Sequence, residues 1–257
     1  MCVLFLAWKS HPRYRLVLAG NRDEYRVRPT APLAAWSGRP DVVGGRDLQA
    51  GGSWLAADRG SRFAAVTNFR QVPLAAGARS RGQLVGDYIL GGDSPGVFVR
   101  RLDADGAHYG GTNLFLGDRE SLWHWSNRGE VNRFMAPGLY GLSNGMIEDD
   151  WPKMRRGREA LARIVAAETI DEDAVFTLLA DRTPGDDHEL PDTGVGRDME
   201  RLLSPIFIAG ADYGTRASTL LLIGHDGSVR MREKRWGAGG AFEGEDAISL
   251  APPAQSA

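Results

Sequence analysis

The 257-residue sequence is poor in cysteine and has no long apolar run. Its single cysteine, Cys2, cannot form an internal disulfide, so the fold does not require an oxidising compartment. The apolar run at residues 3–8 is far too short to span a membrane, and no signal-peptide pattern surrounds it. We therefore expect a cytoplasmic protein without an integral membrane segment.

An excess of charge of one sign is also lacking. The formal net charge of −2 gives no global attraction to nucleic acid, so no nucleic-acid partner is expected. The five histidines are scattered without the spacing of metal ligands, and no C-x-x-C motif is present, so no metal site is predicted. A composition that is 42% hydrophobic and 25% charged is typical of a globular protein.

Paired strand patterns dominate what is present. Four times, a β-rich run, a turn containing Gly, Pro or Asp, and a second β-rich run follow one another: 2–8 with 14–19, 53–58 with 62–68, 113–116 with 122–125, and 219–223 with 229–235. Helix starts are indicated at Ser80, Ser94, Pro152 and Asp171. The pattern predicts an antiparallel α+β protein. We expect a single domain over residues 1–250, with a loop at 183–198 and a disordered tail at 251–257.

Position 2 carries the most informative chemistry. Initiator methionine is normally removed before a small residue, so the mature chain is expected to begin with Cys2. A terminal cysteine combines a thiol with an α-amine of pKa about 8, so one residue supplies both a nucleophile and its base. The alternative is that Cys2 is a small apolar residue that opens a strand.

A polar segment follows the second strand of the first hairpin. If Trp8 pairs near Arg15, antiparallel register sets Cys2 opposite Asn21, within two residues. Residues 21–24 read Asn-Arg-Asp-Glu, and such residues after an apolar strand are either solvated or part of a site. Alternation places Asn21 and Asp23 on one face and Arg22 and Glu24 on the other, so only one pair faces Cys2.

The start of the longest predicted helix is strongly basic. Its cations are Lys153, Arg155, Arg156, Arg158 and Arg163. A run of this kind most often forms a solvated face, and the alternative is a site for an anionic group such as a phosphorylated ligand.

Motifs spread along the chain resemble a known family. They are Met1-Cys2, Asn21-Arg22-Asp23-Glu24, Gly51-Gly52-Ser53-Trp54-Leu55, Ala65-Val66-Thr67-Asn68-Phe69, Arg81-Gly82-Gln83-Leu84-Val85, Tyr140-Gly141-Leu142-Ser143-Asn144 and Tyr213-Gly214-Thr215-Arg216. In this order they resemble the NRDE family, also called transport and Golgi organisation protein 2-like. The resemblance implies the N-terminal nucleophile hydrolase fold, a four-layer αββα sandwich of two antiparallel sheets.

A more distant similarity is to the cysteine branch of that superfamily, the bile-salt hydrolases, penicillin V acylases and ceramidases. Their sites combine a terminal Cys, an Arg and an Asp, two Asn and a later Arg. Carried over, this implies the catalytic residues Cys2, Arg22, Asp23, Asn68, Asn144 and Arg216. The resemblance adds Asn21, Glu24 and Trp54 as motif or substrate-binding residues.

Each implied role has a physical reason. Asp23 orients the α-amine, and Asn68 donates to the oxyanion that forms when Cys2 attacks a carbonyl. Asn144 holds the amine or the substrate, and Arg216 favours the thiolate. In those hydrolases the Arg and Asp are spaced apart, whereas Arg22 and Asp23 are adjacent and point to opposite faces of an extended strand.

Two functions follow as hypotheses. The first is an Ntn-type cysteine amidohydrolase or thioesterase, which acts on an amide or thioester of a small amphipathic acyl substrate and requires no cofactor. The second is a non-catalytic protein that binds and carries haem, acyl-CoA or lipid, because members of the family are associated with those ligands. Any haem is expected to be non-covalent, since no C-x-x-C-H motif is present. The sequence does not indicate an oligomeric state.

Overall fold

Two antiparallel sheets covered by helices make up the described part of the chain. The computed structural model describes residues 2–72, 77–129 and 133–252. The first sheet has the order β10-β1-β2-β11-β12-β13 and the second has the order β3-β4-β5-β6-β7-β8-β9. Every strand pair within them is antiparallel.

The strands of the first sheet are β1 (Cys2–Trp8), β2 (Tyr14–Tyr25), β10 (Gly138–Leu142), β11 (Tyr213–Gly224), β12 (Val229–Trp236) and β13 (Phe242–Leu250). Those of the second are β3 (Thr30–Trp36), β4 (Arg39–Asp47), β5 (Leu55–Asp58), β6 (Phe63–Asn68), β7 (Thr112–Gly117), β8 (Leu122–Ser126) and β9 (Arg133–Phe134). The helices are α1 (Arg81–Leu90), α2 (Pro95–Asp105), α3 (Pro152–Val165), α4 (Glu172–Leu179) and α5 (Arg197–Leu202). Short 3₁₀ turns cover Gly106–His108, Asp187–Glu189 and Ala238–Gly240.

Three buried apolar clusters separate four layers. The first fills the space between the sheets and includes Leu6, Phe63 and Leu221. A second packs α1 and α2 against the outer face of one sheet, and a third packs α3 and α4 against the outer face of the other. The expected αββα sandwich is therefore confirmed. Among the helices of the described residues, none is both long enough and apolar enough to cross a bilayer.

The four predicted hairpins are present, with small differences in their bounds. Strands β3, β4, β9, β10 and β13 were not predicted. Charged residues or glycines interrupt the apolar alternation of β4, β10 and β13, Pro32 lies within β3, and β9 has only two residues. Asp171 caps α4 through its side chain, whereas Ser80 starts α1 without a side-chain cap bond. The 183–198 segment is mostly irregular but contains the turn at Asp187–Glu189 and the first residues of α5. Most of the predicted tail, residues 253–257, lies outside the described residues.

Candidate active site

Cys2 lies at the end of the layer between the two sheets. Leu4 and Leu6 of the same strand belong to the inter-sheet core, and strand alternation directs Cys2 to that face. The register pairs Cys2 with Arg22, one residue beyond the predicted Asn21. Residues that pair directly share a face of the sheet, so Arg22 and Glu24 lie on the side of Cys2.

A cavity of about 130 Å³ opens beside Cys2. Both sheets and the start of α1 contribute to it. Its lining consists of Cys2, Arg22, Asp23, Glu24, Arg28, Asp47, Ser53, Trp54, Val66, Asn68, Ser80, Arg81 and Gly82. We call it the Cys2 pocket.

Trp54 is fixed between a main chain and a guanidinium group. A Cβ atom on Gly45 would lie 2.1 Å from the Trp54 ring, so the indole packs directly on the glycine of β4. On the same ring, the guanidinium carbon of Arg22 lies 4.6 Å from the centroid, which is a cation–π contact. The predicted substrate-binding residue Trp54 therefore forms a rigid apolar wall of the pocket and holds Arg22.

Glu24 also lines the pocket and faces two arginines. Its Oε2 lies 3.8 Å from Nη2 of Arg22 and 3.7 Å from Nε of Arg28. Arg28 in turn donates through Nη2 to Oδ2 of Asp47 at 2.6 Å. The carboxylates therefore balance two of the guanidinium groups around the cavity.

Helix α1 begins at the pocket. A Cβ atom on Gly52 would lie 2.4 Å from the Gly82 carbonyl carbon, so only glycine permits this close approach of the loop to the helix. The main-chain N–H of Ser53 donates to the Gly82 carbonyl oxygen at 3.1 Å. Arg81, the first residue of α1, donates through Nε to the Gly111 carbonyl oxygen at 3.0 Å.

Asn68 and Asn144 meet at the pocket wall. The Nδ2 group of Asn144 donates to Oδ1 of Asn68 at 3.1 Å and to the Asn68 carbonyl oxygen at 2.9 Å. Because Oδ1 of Asn68 accepts this bond, its Nδ2 group is at the other end of the amide and is a donor. Asn68 itself lines the pocket. Ser143 completes the link, since its Oγ donates to the Cys2 carbonyl oxygen at 3.2 Å.

The electrostatics of Cys2 contain opposing contributions. Burial raises the pKa of the Cys2 thiol, and the charge of Asp23 raises it further. The charge of Arg22 and a hydrogen bond from the main chain of Asp23 lower the pKa. The net shift is upward, so in this structure the neutral thiol is favoured.

The other half of the 21–24 motif faces the helices. The Nδ2 group of Asn21 donates to the carbonyl oxygens of Leu179 at 2.8 Å and Ile206 at 2.9 Å, and its Oδ1 accepts from Ser218 at 2.6 Å. Asn21 therefore joins β2 to α4 and β11, and it does not line the Cys2 pocket. Cys2 pairs with Arg22, which is within the two residues that the sequence analysis allowed around Asn21. In this register Asn21 lies on the opposite face of β2 from Cys2.

The carboxylate of Asp23 also accepts a hydrogen bond, from a buried hydroxyl group. Its Oδ1 accepts from Oγ1 of Thr215 at 2.7 Å, and the residue is only 3% exposed. Burial raises the pKa of Asp23, while the Thr215 bond and the charges of Lys153 and Arg70 oppose the rise. The charge of Asp23 therefore acts on Cys2 on one side of β2. On the other side it interacts with a buried charged cluster that includes Lys153 and Arg70.

That cluster contains a lysine which the sequence analysis placed on a solvated face. Lys153 is 3% exposed, and its Nζ donates to the Leu203 carbonyl oxygen at 3.0 Å. Burial, with the nearby charge of Arg70, lowers the pKa of Lys153 to about 7. Arg70 forms a buried ion pair with Glu200.

The remaining cations at this end of α3 are neutralised locally. Arg155, Arg156 and Arg158 pair with acidic side chains at Asp150, Asp181 and Glu189. The expectation of a solvated face is therefore wrong for Lys153. The spacing along the helix could have indicated that Lys153 is buried. Lys153, Gly157 and Leu161 are four residues apart and share the buried stripe of α3.

Arg216 does not line the Cys2 pocket, although it is close enough for the charges of Arg22 and Glu24 to act on it. Its Nη1 donates to the carbonyl oxygens of Tyr25, Arg26 and Arg28, at 3.1, 3.2 and 2.5 Å. The guanidinium therefore holds the turn between β2 and β3, and Arg216 is not among the residues that line the pocket.

The structure thus brings together most, but not all, of the implied site. The predicted site residues that line one pocket are Cys2, Arg22, Asp23, Glu24, Trp54 and Asn68. Asn144 lies directly behind Asn68. Sequence reasoning missed the pocket residues Arg28, Asp47 and Arg81. Arg81 was within a family motif but was assigned only to a helix start.

Comparison with solved structures identifies the fold. The fold is similar to that of a mutant conjugated bile acid hydrolase from Clostridium perfringens, with a TM-score of 0.52 and 9% sequence identity over 97% of this chain and 92% of that one. The two-sheet sandwich is the N-terminal nucleophile hydrolase fold.

Comparison of sequences identifies the family. A sequence model of the family "Transport and Golgi organisation 2" matches residues 1–238, and the chain belongs to this family. The Transport and Golgi organization protein 2 homolog of Bos taurus is 32% identical over 91% of this chain and 92% of its own length. The Drosophila melanogaster protein of the same name is 27% identical over the same shares.

Proposed function

We propose that the protein is an N-terminal cysteine hydrolase that cleaves an amide or thioester bond of a small amphipathic acyl substrate in the cytoplasm. The observation that carries the proposal is the Cys2 pocket, in which a thiol and the amide of Asn68 line one cavity. Asn144 fixes the orientation of that amide by donating to its oxygen. This arrangement supplies a nucleophile and a pre-oriented oxyanion donor.

The proposed reaction has two steps. After removal of Met1, the free α-amine of Cys2 takes the thiol proton as Sγ forms a bond to the substrate carbonyl carbon. The Nδ2 group of Asn68 donates to the resulting oxyanion, and the amine returns the proton to the leaving nitrogen or sulfur as the acyl bond breaks. Water then attacks the Cys2 thioester, which releases the carboxylic acid and restores the thiol.

Asp23 has a supporting role in this proposal. It lies close enough for its charge to act on Cys2, and its carboxylate is already oriented by Thr215. A carboxylate in that place stabilises the protonated α-amine, which is the intermediate form of the base. Asp23 is therefore a positioning residue that acts through the amine.

The lining of the pocket supports an amphipathic substrate. Arg22, Arg28 and Arg81 offer guanidinium groups to a polar end, while Trp54 and Val66 are apolar. Val27 and Leu48, each the chain neighbour of a pocket residue, are exposed on the surface. An apolar chain leaving the pocket has these side chains available for contact.

The decisive experiment is covalent trapping. The chain with Met1 removed is mixed with acyl thioesters and N-acyl amides of increasing chain length, then acid-quenched for intact-mass measurement. We expect an added acyl mass on Cys2 that decays by hydrolysis and is absent in Cys2→Ala. In Asn68→Ala, we expect acylation to slow by about 100-fold, as for loss of an oxyanion donor. Turnover that survives in Cys2→Ala contradicts the proposal.

A specific observation favours a second function, the non-catalytic binding of haem, acyl-CoA or lipid. Burial raises the pKa of the Cys2 thiol, which disfavours the nucleophilic thiolate. Arg81 lines the pocket outside the ion pairs that Glu24 and Asp47 form with Arg22 and Arg28, and its guanidinium suits the carboxylate or phosphate group of such a ligand. Titrations of haem and of a long-chain acyl-CoA test this function. Saturable binding that is equal in the wild-type protein and Cys2→Ala, without acylation, supports it.

A further inference from the structure

A second cavity lies in the same molecule, lined by strands β7 and β8 and by the segment that follows β10. Its volume is about 170 Å³. The lining residues that carry the argument are Asn113, His124, Ser126, Met146, Ile147 and Glu148. Neither Cys2 nor any other residue of the Cys2 pocket contributes to it.

Asn113 presents a buried acceptor to this cavity. The residue is fully buried, and its Nδ2 donates to the Gly145 carbonyl oxygen at 3.0 Å. This bond identifies the nitrogen end of the Asn113 amide and therefore the position of Oδ1. The Oδ1 atom of Asn113 has no hydrogen-bond partner among the residues that the structure describes. A buried polar atom in this state costs free energy unless something binds it.

His124 lines the same cavity with a second unpartnered atom. The side chain is 3% exposed, and its ring lies against Phe115 with the centroids 5.3 Å apart. Within the described parts of the chain, Nε2 of His124 has no hydrogen-bond partner. Burial, with the charge of Arg133, lowers the pKa of His124 to about 4, so the imidazole is neutral near pH 7.

Size and charge define what fits. A cavity of about 150 Å³ holds a molecule of the size of benzene, so this one is larger than a single water needs. At its mouth, Arg133 forms an ion pair with Glu148. Arg128 donates through Nε to Oε1 of Gln71 at 2.6 Å. The unsatisfied atoms, Oδ1 of Asn113 and Nε2 of His124, belong to neutral groups, so a neutral ligand satisfies both by hydrogen bonding without bringing a charge into the cavity.

We propose that this cavity is a second binding site, for a small neutral molecule of about the size of benzene that carries a hydroxyl or a primary amide. The ligand donates a hydrogen bond to Oδ1 of Asn113 and pairs with Nε2 of His124, whose tautomer adapts to either partner. Its apolar part contacts Ile147 and Met146. Met146 is 38% exposed and gives the ligand an entrance.

Phenol and toluene are matched probes, because they have nearly the same shape and only phenol donates a hydrogen bond. Each is titrated into the full chain, with ¹⁵N-histidine spectra and the thermal midpoint as readouts. We expect saturable binding of both, with a dissociation constant for phenol about tenfold lower. The Nε2 signal of His124 should move with phenol and much less with toluene.

Two variants control the result. His124→Phe keeps the ring contact with Phe115 and removes Nε2, so the preference for phenol should fall severalfold while toluene still binds. Met146→Trp fills the entrance from a partly exposed position and should weaken both probes. Equal binding of phenol and toluene, or no saturable binding of either, overturns the proposal and assigns the cavity to ordered water. If His124→Phe does not fold, the wild-type affinity ratio and the His124 signal decide alone.

Discussion

The two faces of strand β2 have different roles in the motif of residues 21–24. One face lines the pocket, and the other makes contacts that hold the fold together. On the face toward the second sheet, the side chains of Arg22 and Glu24 line the Cys2 pocket. On the face toward the helices, Asn21 and Asp23 make buried hydrogen bonds to α4, β11 and the segment before it. Adjacent residues of a motif can therefore serve a site and a scaffold, because strand alternation separates them.

The difference also separates two kinds of charge. At the pocket, Arg28 and Glu24 are 26% and 24% exposed, whereas Arg70, Lys153 and Glu200 are buried behind Asp23. Buried charges depend strongly on their partners, and partly exposed ones are screened by solvent. Substitutions on the helix face should therefore change stability, and substitutions on the pocket face should change chemistry.

The largest expected effect is on the helix face, in Asn21→Ala. The variant leaves the Leu179 and Ile206 carbonyl groups without their donor and removes the acceptor of Ser218. We expect the free energy of unfolding to fall by about 3 kcal/mol or more. Urea denaturation measures it. Glu24→Gln on the pocket face is the matched control and should cost less than about 1 kcal/mol. Equal losses in the two variants contradict the division between faces.

Lys153 makes the stability of the helix face depend on pH. The pKa of Lys153 is about 7 in the folded chain and higher in the unfolded chain, so between these values the unfolded state binds more protons. The free energy of unfolding therefore rises with pH in this range. Relative to Lys153→Met, the wild-type protein should gain roughly 2 kcal/mol between about pH 7 and pH 9.

The control for this experiment is Lys9→Met, which removes a lysine charge at an exposed position. Chemical denaturation at a series of pH values gives all three curves. A wild-type curve parallel to that of Lys153→Met would show that Lys153 keeps its ordinary pKa, and the buried cluster would then be charge-balanced in a different way.

A substitution of Arg216 tests whether this residue, which the family resemblance implies for the site, acts on Cys2 or stabilises the fold. Because its guanidinium holds three carbonyl oxygens of the turn after β2, Arg216→Ala should destabilise the protein by about 1–2 kcal/mol. The rate of Cys2 alkylation should stay within about twofold of wild type, since Arg216 does not line the pocket. A large drop in the alkylation rate without loss of stability would return Arg216 to the site.

Much of the fold was predictable because its signals are local. Alternating strands and short Gly or Asp turns repeat along the chain, and they identified the hairpins. Strand β13 lacked that signal, since its alternation is between exposed and half-buried positions at a sheet edge. The pairing of distant strands, such as β10 with β1, has no local signal at all.

Several residues of the Cys2 pocket could be named from the sequence, but the face of strand β2 on which each one lies could not. The sequence analysis paired Trp8 near Arg15 and left the register open by two residues, and the structure pairs Trp8 with Leu16. A shift of one residue exchanges the two faces of a strand, so it decides whether Asn21 or Arg22 lies beside Cys2. Resemblance supplied the residue types, and only the register in three dimensions assigned them to the pocket or to the scaffold.

The smallest effect is also the most direct test of the two faces, because neighbouring residues should act on Cys2 with opposite signs. The charge of Arg22 lowers the pKa of the Cys2 thiol and the charge of Asp23 raises it. Only the thiolate reacts with iodoacetamide, so at a fixed pH below the thiol pKa the rate follows the thiolate fraction. Arg22→Gln should therefore slow alkylation and Asp23→Asn should accelerate it, each by about threefold.

Intact mass against time, at several pH values, measures both rates and shows the displacement of each curve. The Arg22→Gln curve should move to higher pH and the Asp23→Asn curve to lower pH. Asp23→Asn keeps an oxygen for the Thr215 hydroxyl, so a loss of packing is not expected to mask the effect. If both curves move in the same direction, the thiol responds to a general loosening of the pocket and not to the separate charges on the two faces of β2.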